Sequence, residues 1–403
     1  MTTLNRILPA LTAALLASTP ARAADAPPPG DIQGQIERLQ SELRALKAQI
    51  DEQNQHSSAQ QRADAEQQAQ IDALADRIER PSATSKAKFG GYGELHYNNL
   101  DSKREIDFHR FVLYAGYDFS DGIRFVSEVE LEHALAGESK PGEVELEQAY
   151  LEFDLPAQQK ARGGLFLVPV GILNETHEPT TFYGVERNLV ESAIIPTTWW
   201  EGGGAIGGPI AGTGLSYDLA VHSGLKLATT GSNAYAIRGG RQKVANAVAD
   251  DLAYTLRLRY TGIPGLELAG TVQYQADATQ ALDNEQVSAL LTEAHAVFER
   301  GPFSARALWA AWNLDGDGPK AVGRDRQDGY YGELGYRIRP TVGLFARYSV
   351  ADNGGPADAT EIRQTDIGIN WWPHKDVVLK ADYQNQDRAA DNDGFNLGIG
   401  YRF

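Results

Sequence analysis

The sequence contains no cysteine and no long apolar run. Without cysteine, neither disulfide bonds nor thiolate metal sites can contribute to the fold. A transmembrane helix needs about 18 or more consecutive apolar residues, and no stretch of the 403-residue chain approaches that length. If the protein lies in a membrane, it must therefore cross the membrane as β-strands.

Positive charge is scarce, because 37 lysine and arginine residues stand against 54 aspartate and glutamate residues, a net charge of −17. That balance disfavours nucleic acid as a partner. The eight histidines are scattered without HExxH or a similar metal-binding spacing. A hydrolase within a barrel would need a set of Ser, His and acid, which residue types alone do not exclude. We therefore expect a protein that is not an enzyme and that has neither a cofactor nor a metal site.

Glycine and aromatic residues are plentiful, with 41 Gly, 17 Tyr, 13 Phe and 6 Trp. A weak alternation of apolar and polar residues, with aromatic residues near the strand ends, is typical of a transmembrane β-barrel. The first 23 residues read as a secretory signal peptide, with Arg6, an apolar core from Ile7 to Leu16, and small residues at Ala21 and Ala23. The chain is thus predicted to leave the cytoplasm.

A heptad pattern follows a Pro-rich linker at residues 24–31 and predicts a periplasmic coiled coil over residues 32–80. The register stays unbroken through a polar middle, where Asp64 occupies a core position. Mixed Ile and Leu at the core leave dimer and trimer open, and a solvated helical spacer is the alternative. Residues 81–85 are predicted to form a hinge. The apolar core positions are Ile32, Ile36, Leu39, Leu43, Leu46, Ile50, Ile71, Leu74 and Ile78.

From Lys86 onward apolar residues recur at every second position, and residues 86–403 contain sixteen candidate strands. The last segment, FNLGIGYRF, places Leu397 and Ile399 on one face and Asn396 and Arg402 on the other. Short turns follow the even-numbered strands, and mostly longer polar loops follow the odd-numbered strands. We therefore predict an all-β fold, a 16-stranded antiparallel transmembrane β-barrel with both ends in the periplasm. A soluble all-β protein would leave Glu and Arg on a face that must pack.

The segment from Ile172 to Glu201 is too long for an ordinary connection, since most loops have about six residues. We predict that it folds into the lumen and narrows the pore. A helix over 181–194 would pack its apolar side on the wall and leave Arg187 and Glu191 toward the opening. The alternative is an extracellular lid that never enters the pore.

The lumen face carries charges of both signs, and short turns fix the hairpin registers that oppose them. Asp366 and Asp382 are predicted to oppose each other near Lys380, an arrangement that would favour cations or share a proton. Most lumen arginines are expected to form pairs that stiffen the wall. The predicted pairs are Asp118 with Arg124, Arg110 with Glu132, Glu152 with Arg162, Glu267 with Arg259, and Glu333 with Arg347.

Two arginines have no carboxylate directly opposite in the predicted registers. Arg257 faces Ala269, and Arg306 faces Val297. Unpaired guanidinium groups in a narrow lumen attract anions and offer bidentate donors to phosphate or carboxylate. The candidate pore and solute-binding residues are Arg110, Arg162, Arg187, Glu191, Arg257, Arg259, Arg306, Arg347 and Lys380.

Several segments of the barrel resemble a known family. These are FGGYGELHY at the first strand, the consecutive segments EQAYLEFDL and GGLFLVPVGI before the long loop, and the aromatic C-terminus. In them, residues 89–403 resemble the phosphate-selective porins of the O and P type. The resemblance implies sixteen-stranded trimers with a constriction loop and an anion-attracting pore. The loop contains no lysine, and the heptad extension is similar to the periplasmic coiled coils of some sugar and dicarboxylate porins.

Together these features predict a homotrimeric passive diffusion porin of the outer membrane for small hydrophilic solutes, with anions such as phosphate or carboxylates expected. A tether that contacts the cell wall through the coiled coil is one alternative, and a non-selective or sugar porin is another. An enzyme would require Ser and His side chains within hydrogen-bond distance. The acidic outer loops suggest divalent-cation bridging to lipopolysaccharide, although solvated loops are the simpler interpretation.

Overall fold

The computed structural model describes residues 86–355, 360–387 and 392–403, together with the single residue Lys47. The predicted signal peptide at 1–23, linker at 24–31, coiled coil at 32–80 (Lys47 apart) and hinge at 81–85 lie outside the described residues. No helix among the described residues is long and apolar enough to cross a membrane.

Sixteen antiparallel strands follow one another around a single closed barrel, and β1 pairs with β16 to close it. The prediction of a 16-stranded barrel is confirmed. The strands are β1 Ala87–Leu100, β2 Arg104–Ser120, β3 Ile123–Glu132, β4 Val144–Asp154, β5 Lys160–Leu167, β6 Trp200–Ile210, β7 Leu215–His222, β8 Ala253–Ile263, β9 Leu266–Gln275, β10 Ser288–Arg300, β11 Phe303–Asp315, β12 Arg326–Arg339, β13 Val342–Asp352, β14 Glu361–His374, β15 Val377–Asp387 and β16 Gly394–Arg402.

Between residues 86 and 403, the described helical segments are short and lie in the connections between strands. They comprise α1 Val190–Ala193, α2 Asp317–Ala321 and three 3₁₀ turns at Pro156–Gln158, Arg238–Gly240 and Leu282–Asn284. The connections after even-numbered strands span two to five residues, whereas two connections after odd-numbered strands cover 168–199 and 223–252. The three-residue link 101–103 after β1 is the exception to the predicted alternation of turn lengths.

Alternate side chains of each strand point to opposite sides of the wall. In β16, Leu397 and Ile399 are 45% and 46% exposed, whereas Asn396 between its apolar neighbours is 1% exposed. An apolar outer surface that solvent can reach in an isolated barrel is the surface that hydrocarbon covers in a membrane. The period-two pattern of the sequence therefore sorts lipid-facing from lumen-facing residues as predicted.

The predicted register is correct in the β2–β3 and β12–β13 hairpins and wrong in the β8–β9 and β14–β15 hairpins, although all four contain one irregularity near the turn. Arg110 lies opposite Glu132, and Arg347 lies opposite Glu333. Irregularities between Tyr260 and Ile263 shift the β8–β9 hairpin, and another bulge shifts β14 against β15. An extra residue on one strand displaces every subsequent pair.

The two longest connections fold back into the barrel and build an apolar core there. The first inner loop is defined as residues 168–199 and the second inner loop as residues 223–252. Trp199, Ile194 and Leu227 are fully buried in this core. Its wall side is supplied by inward residues of β10–β13, including Leu291, Leu308, Ala310, Trp312, Tyr331 and Ala351.

The predicted helix over 181–194 is wrong, because only Val190–Ala193 is helical in that stretch. Gly184 adopts a φ of +82°, which a right-handed helix does not allow. The next backbone N–H, that of Val185, donates to Asp382 Oδ2 at 2.7 Å rather than to a helical carbonyl. Tertiary hydrogen bonds thus replace the local helix.

A charge placed on the outer face should test the direction of the alternation. Ile367 lies in the middle of β14 and is 61% exposed, so we expect Ile367→Arg to destabilise the barrel by about 2–4 kcal/mol, the cost of a cation near the bilayer midplane. Ile367→Val should have little effect. The measurement is the urea dependence of unfolding in lipid vesicles, and equal midpoints for the two variants would contradict the assignment.

Candidate pore constriction

The first inner loop crosses the lumen and contacts strands on different sides of it. The side chain of Glu186 accepts a hydrogen bond from Asn98 of β1 at 3.0 Å. Arg347 of β13 donates to the carbonyl of Tyr183 at 2.5 Å. On the other side of the loop, Glu175 pairs with a strand arginine of β8 at 2.5 Å. A loop held from several strands lies inside the barrel and narrows its lumen.

Glu191 is the internal anchor of this loop, not a group at the opening. Its Oε1 accepts the backbone N–H groups of Ile172 and Leu173 at 2.7 and 2.6 Å. Its Oε2 accepts from Asn188 at 2.9 Å and from Tyr331 of β12 at 3.0 Å. The carboxylate is fully buried, so the prediction that Glu191 faces the pore is wrong.

His177 joins the same loop to β3 and β4. Its ring Nε2 lies 3.5 Å from Glu128 Oε1 and 3.6 Å from Glu147 Oε2, and all three side chains are buried. Burial disfavours the charged ring, but the two facing carboxylates raise the pKa of His177 to about 9. The pocket between these carboxylates therefore requires a positive charge.

A cavity of about 310 Å³ lies between the loop and the wall formed by β1, β2, β14 and β15. Its charged lining comprises four cations against two carboxylates. The cationic residues are Lys103, Arg110, Arg187 and Arg238, the carboxylates are those of Glu94 and Glu186, and the ring residues His96 and His109 also line it. The solvent space beside the loop is therefore basic, although the chain as a whole is acidic.

Among the cations that line this cavity, Arg187 has the fewest hydrogen-bond and ion-pair partners in the described parts of the chain. Its guanidinium has no hydrogen bond or ion pair within the described parts of the chain. Burial and the nearby charge of Arg110 lower its pKa. The lowered pKa has the sign expected for a cation that lacks a counter-charge. The predicted orientation of Arg187 toward the open space agrees with its place in the cavity lining.

The second inner loop adds two arginines that the sequence analysis did not single out. Arg238 donates to the carbonyl of Ser192 at 2.5 Å, and Arg241 donates to the carbonyls of Pro196 and Thr198 at 3.0 and 2.6 Å. Burial and the neighbouring Arg241 lower the pKa of Arg238 to about 10. These residues fasten one inner loop to the other while leaving their charge without a carboxylate. The segment RGGR in a long loop was the available signal.

Arg110 and Arg347 are wall arginines whose pairs differ in part from the predicted ones. Arg110 binds Glu94 of β1 at 2.5 Å rather than the opposed Glu132, and it also donates to the carbonyl of His177 at 3.0 Å. Arg347 binds the predicted Glu333 at 2.9 Å. Both guanidinium groups therefore join the wall to the first inner loop.

The expectation that Arg257 is unpaired is wrong. In the observed register it lies opposite Thr271, and its guanidinium binds Asp218 of β7 at 2.7 Å and Glu175 of the loop at 2.5 Å. Each barrel strand has two neighbours, and the carboxylate that faces Arg257 lies on the preceding strand, β7. Arg306 lies opposite Val297 on β10, as predicted, but it lies opposite Glu333 on β12. Its guanidinium is 3.7 Å from Glu299 and donates to the carbonyl of Thr181 at 2.9 Å, so the expectation that Arg306 is unpaired is also wrong.

Two further arginines depart from their predicted pairs. Arg162 lies opposite Glu152, yet its guanidinium approaches Glu175 and Asp218 at 3.9 and 3.8 Å. Arg259 lies opposite Ala269 rather than Glu267. It contacts the hydroxyl of Ser216 at 3.5 Å.

The predicted pair of Asp366 and Asp382 is also wrong, because the bulge in the β14–β15 hairpin places Asp366 opposite Gln384. Asp382 instead accepts the backbone N–H of Val185 at 2.7 Å. Lys380 is buried with its ammonium 3.6 Å from the centre of the Phe182 ring. Within the described residues this ammonium has no hydrogen-bond partner.

Comparison with known proteins agrees with this architecture. The family described as phosphate-selective porin O and P matches residues 86–394. An uncharacterized protein of Aquifex aeolicus (strain VF5) is 32% identical over 359 residues, covering 78% of this chain and 79% of its own. The outer membrane channel DcaP of Acinetobacter baumannii is similar in fold, with a TM-score of 0.53 and 13% identity over 79% of this chain and 97% of its own. In vitro folded OmpT of Vibrio cholerae, in a trimer form, has a TM-score of 0.52 and 11% identity over 79% and 99% of the two chains.

Removing the carboxylate of Glu191 should loosen the first inner loop. Glu191→Ala leaves the buried backbone N–H of Leu173 and the half-buried N–H of Ile172 without acceptors, and an unsatisfied buried donor costs about 1–3 kcal/mol. We expect higher and noisier single-channel conductance and faster cleavage of the loop by added protease. Glu178→Ala is the matched control, because the Glu178 carboxylate makes no hydrogen bond within residues 86–355, 360–387 and 392–403. Unchanged conductance and cleavage in Glu191→Ala would refute the anchoring role.

Proposed function

The chain belongs to the phosphate-selective porin O and P family and is an outer-membrane channel, and we propose that passage through it is passive and favours small anions such as phosphate or carboxylates. Family and fold indicate a channel rather than an enzyme. The finer statement, the preference for anions, is supported by the charges beside the constriction.

The single observation that carries the proposal is the basic lining of the cavity beside the first inner loop. Arg187 lies there without a carboxylate partner among the described residues, and Arg238 donates a hydrogen bond to the neutral backbone carbonyl of Ser192. A cation whose field is not cancelled by a paired carboxylate raises the local concentration of anions. Guanidinium groups also present the geometry that phosphate and carboxylate oxygens match.

The buried acidic residues of β3 and β4 do not oppose this preference. Glu128, Glu130 and Glu147 are 0–3% exposed and do not line the cavity. Their charges meet His177 and Arg110 instead. The open space beside the first inner loop is therefore lined by the cations of the inner loops and not by these carboxylates.

We further propose that the barrel forms a homotrimer, which is supported by the trimer form of OmpT from Vibrio cholerae. Residues 1–23 are proposed as a signal peptide and residues 32–80 as a periplasmic coiled coil. Contacts with lipopolysaccharide through the acidic outer loops, and with the cell wall through the coiled coil, remain predictions from the sequence. A non-selective or sugar porin is the alternative for the permeating solute.

Reversal potentials across planar bilayers test the anion preference. We expect chloride to be favoured over potassium, and we expect the double variant Arg187→Gln with Arg238→Gln to lower that ratio by roughly threefold, because two poorly neutralised charges are removed at a narrow point. Lys375→Gln is the control, since Lys375 is 80% exposed in the short turn between β14 and β15. A clear preference of the unmodified channel for potassium would end the proposal, and block by sugars rather than by phosphate or dicarboxylates would favour the alternative solute.

Deletion of residues 31–80 separates transport from tethering. If transport through the barrel is the main role, single-barrel conductance and ion preference should survive the deletion, because the inner loops and wall lie within residues 86–403. The measurement is single-channel recording of the shortened and full-length proteins side by side. Loss of conductance in a correctly folded barrel would favour the tether.

A further inference from the structure

Three buried side chains meet where the first inner loop touches the wall. Glu128 comes from β3, Glu147 from β4 and His177 from the loop, and they are 0%, 2% and 3% exposed. One donor atom of each lies within 4.8 Å of the other two. Imidazole nitrogen and carboxylate oxygen are both common ligands of divalent transition metals.

The distances from His177 Nε2 to the two carboxylates are longer than a hydrogen bond and close to the separation of two ligands on one metal ion. His177 Nε2 lies 3.5 and 3.6 Å from the two carboxylate oxygens, beyond the 2.7–3.2 Å range of an N–H donor. Neither Nε2 nor Glu147 Oε2 has a hydrogen-bond partner among the described residues. Ligands about 2.1 Å from a tetrahedral zinc ion lie roughly 3.4 Å apart. The gap thus has the size of an ion.

The loop also fixes the ring in the orientation that a metal ligand needs. His177 Nδ1 lies 3.0 Å from the backbone carbonyl of Asn174. If Nδ1 carries the proton and donates it there, the lone pair of Nε2 points at the carboxylates, which is the common outer-shell arrangement of metal-binding histidines. Asn174 itself is held by the backbone of Val168 and Trp199. On the wall side, Gln148 donates to the second oxygen of Glu128 at 2.5 Å.

A second buried histidine, His295, forms ordinary ion pairs and differs in its geometry from His177. His295 faces two carboxylates, but each ring nitrogen meets a different one, Glu293 at 2.6 Å and Glu267 at 3.3 Å. One proton on each nitrogen satisfies both contacts there. At His177 both carboxylates face the same nitrogen, so a single proton cannot reach both of them.

We propose that Glu128, Glu147 and His177 bind one divalent transition-metal ion, of which zinc is the representative, and that this ion fixes the first inner loop to β3 and β4. Two carboxylates neutralise the charge of the ion, and a neutral imidazole supplies the third ligand. The fourth position of a tetrahedral site is left for water. The three ligands come from three separate segments of the chain, so their spacing in the sequence gives no motif. The site does not depend on the anion preference.

Zinc binding by the full-length protein tests the proposal. A background variant, His133→Asn, first removes a ligand from the half-exposed cluster of Asp107, His109 and His133, which could also hold a metal. The protein is stripped with EDTA, and zinc is titrated by calorimetry, with metal content measured by mass spectrometry. We expect one zinc per chain with a dissociation constant of about 1 μM or below. X-ray absorption should show nitrogen and oxygen neighbours at about 2.0–2.2 Å.

Matched variants locate the ion. In the same background, His177→Asn and Glu147→Gln should each weaken zinc binding by about 100-fold or more, because a direct ligand is worth at least as much as an outer-shell partner. His295→Asn should bind zinc as the background protein does. Heat-modifiable migration on gels and the β-sheet circular dichroism spectrum establish that each variant is folded. Zinc should also slow proteolysis of the first inner loop in the background protein and not in His177→Asn.

Two results would overturn the proposal. If the background protein binds no more zinc than the folded His177→Asn variant, the pocket holds a proton alone. If His295→Asn abolishes binding and His177→Asn does not, the ion lies elsewhere. Reversal potentials measured on EDTA-treated protein report on the anion preference separately, so failure of one proposal is distinguishable from failure of the other.

Discussion

The whole structure depends on satisfying backbone hydrogen bonds where no water is available. In hydrocarbon each unpaired N–H or C=O costs several kcal/mol, so a sheet that spans the membrane must close on itself. Closure occurs between β1 and β16, where Gly91 and Phe403 exchange two backbone hydrogen bonds at 2.9 Å. Once the wall is closed, every strand must present one row of side chains to lipid and the other to the lumen.

Closure of the barrel directs charged side chains into the lumen, where their charges must be compensated. Its wall carries buried carboxylates and guanidinium groups, and a buried charge without a counter-charge is costly. The inner loops supply much of the compensation: Glu175 meets Arg257, and His177 meets Glu128 and Glu147. Apolar residues of the same loops pack on β10–β13. The loops are therefore part of the fold of the barrel, and the cations that they leave poorly neutralised give the remaining space its basic character.

Several features were predictable because they depend on short-range pattern. Alternation at Leu397 and Ile399, the count of sixteen strands and the long segment after β5 all follow from period two and from turn residues. The registers of the β8–β9 and β14–β15 hairpins were not predictable, because the position of an irregularity near a turn decides which residues face each other. The partner of Arg257 could not be predicted from the β8–β9 hairpin, because Asp218 lies on the preceding strand, β7. The second inner loop was missed because a long polar connection with scattered apolar residues has no period that marks it as buried.

The sequence by itself determined the class of the protein: a closed wall of strands, the direction of each side chain, the position of the longest loop and the family. These follow from hydrophobic period and chain length, which are local properties. Only the tertiary structure decided which charges meet, which arginines stay without a carboxylate, and that Glu128, Glu147 and His177 share one pocket. Those contacts join residues far apart in the chain, and strand register and loop packing, which no local pattern encodes, bring them together.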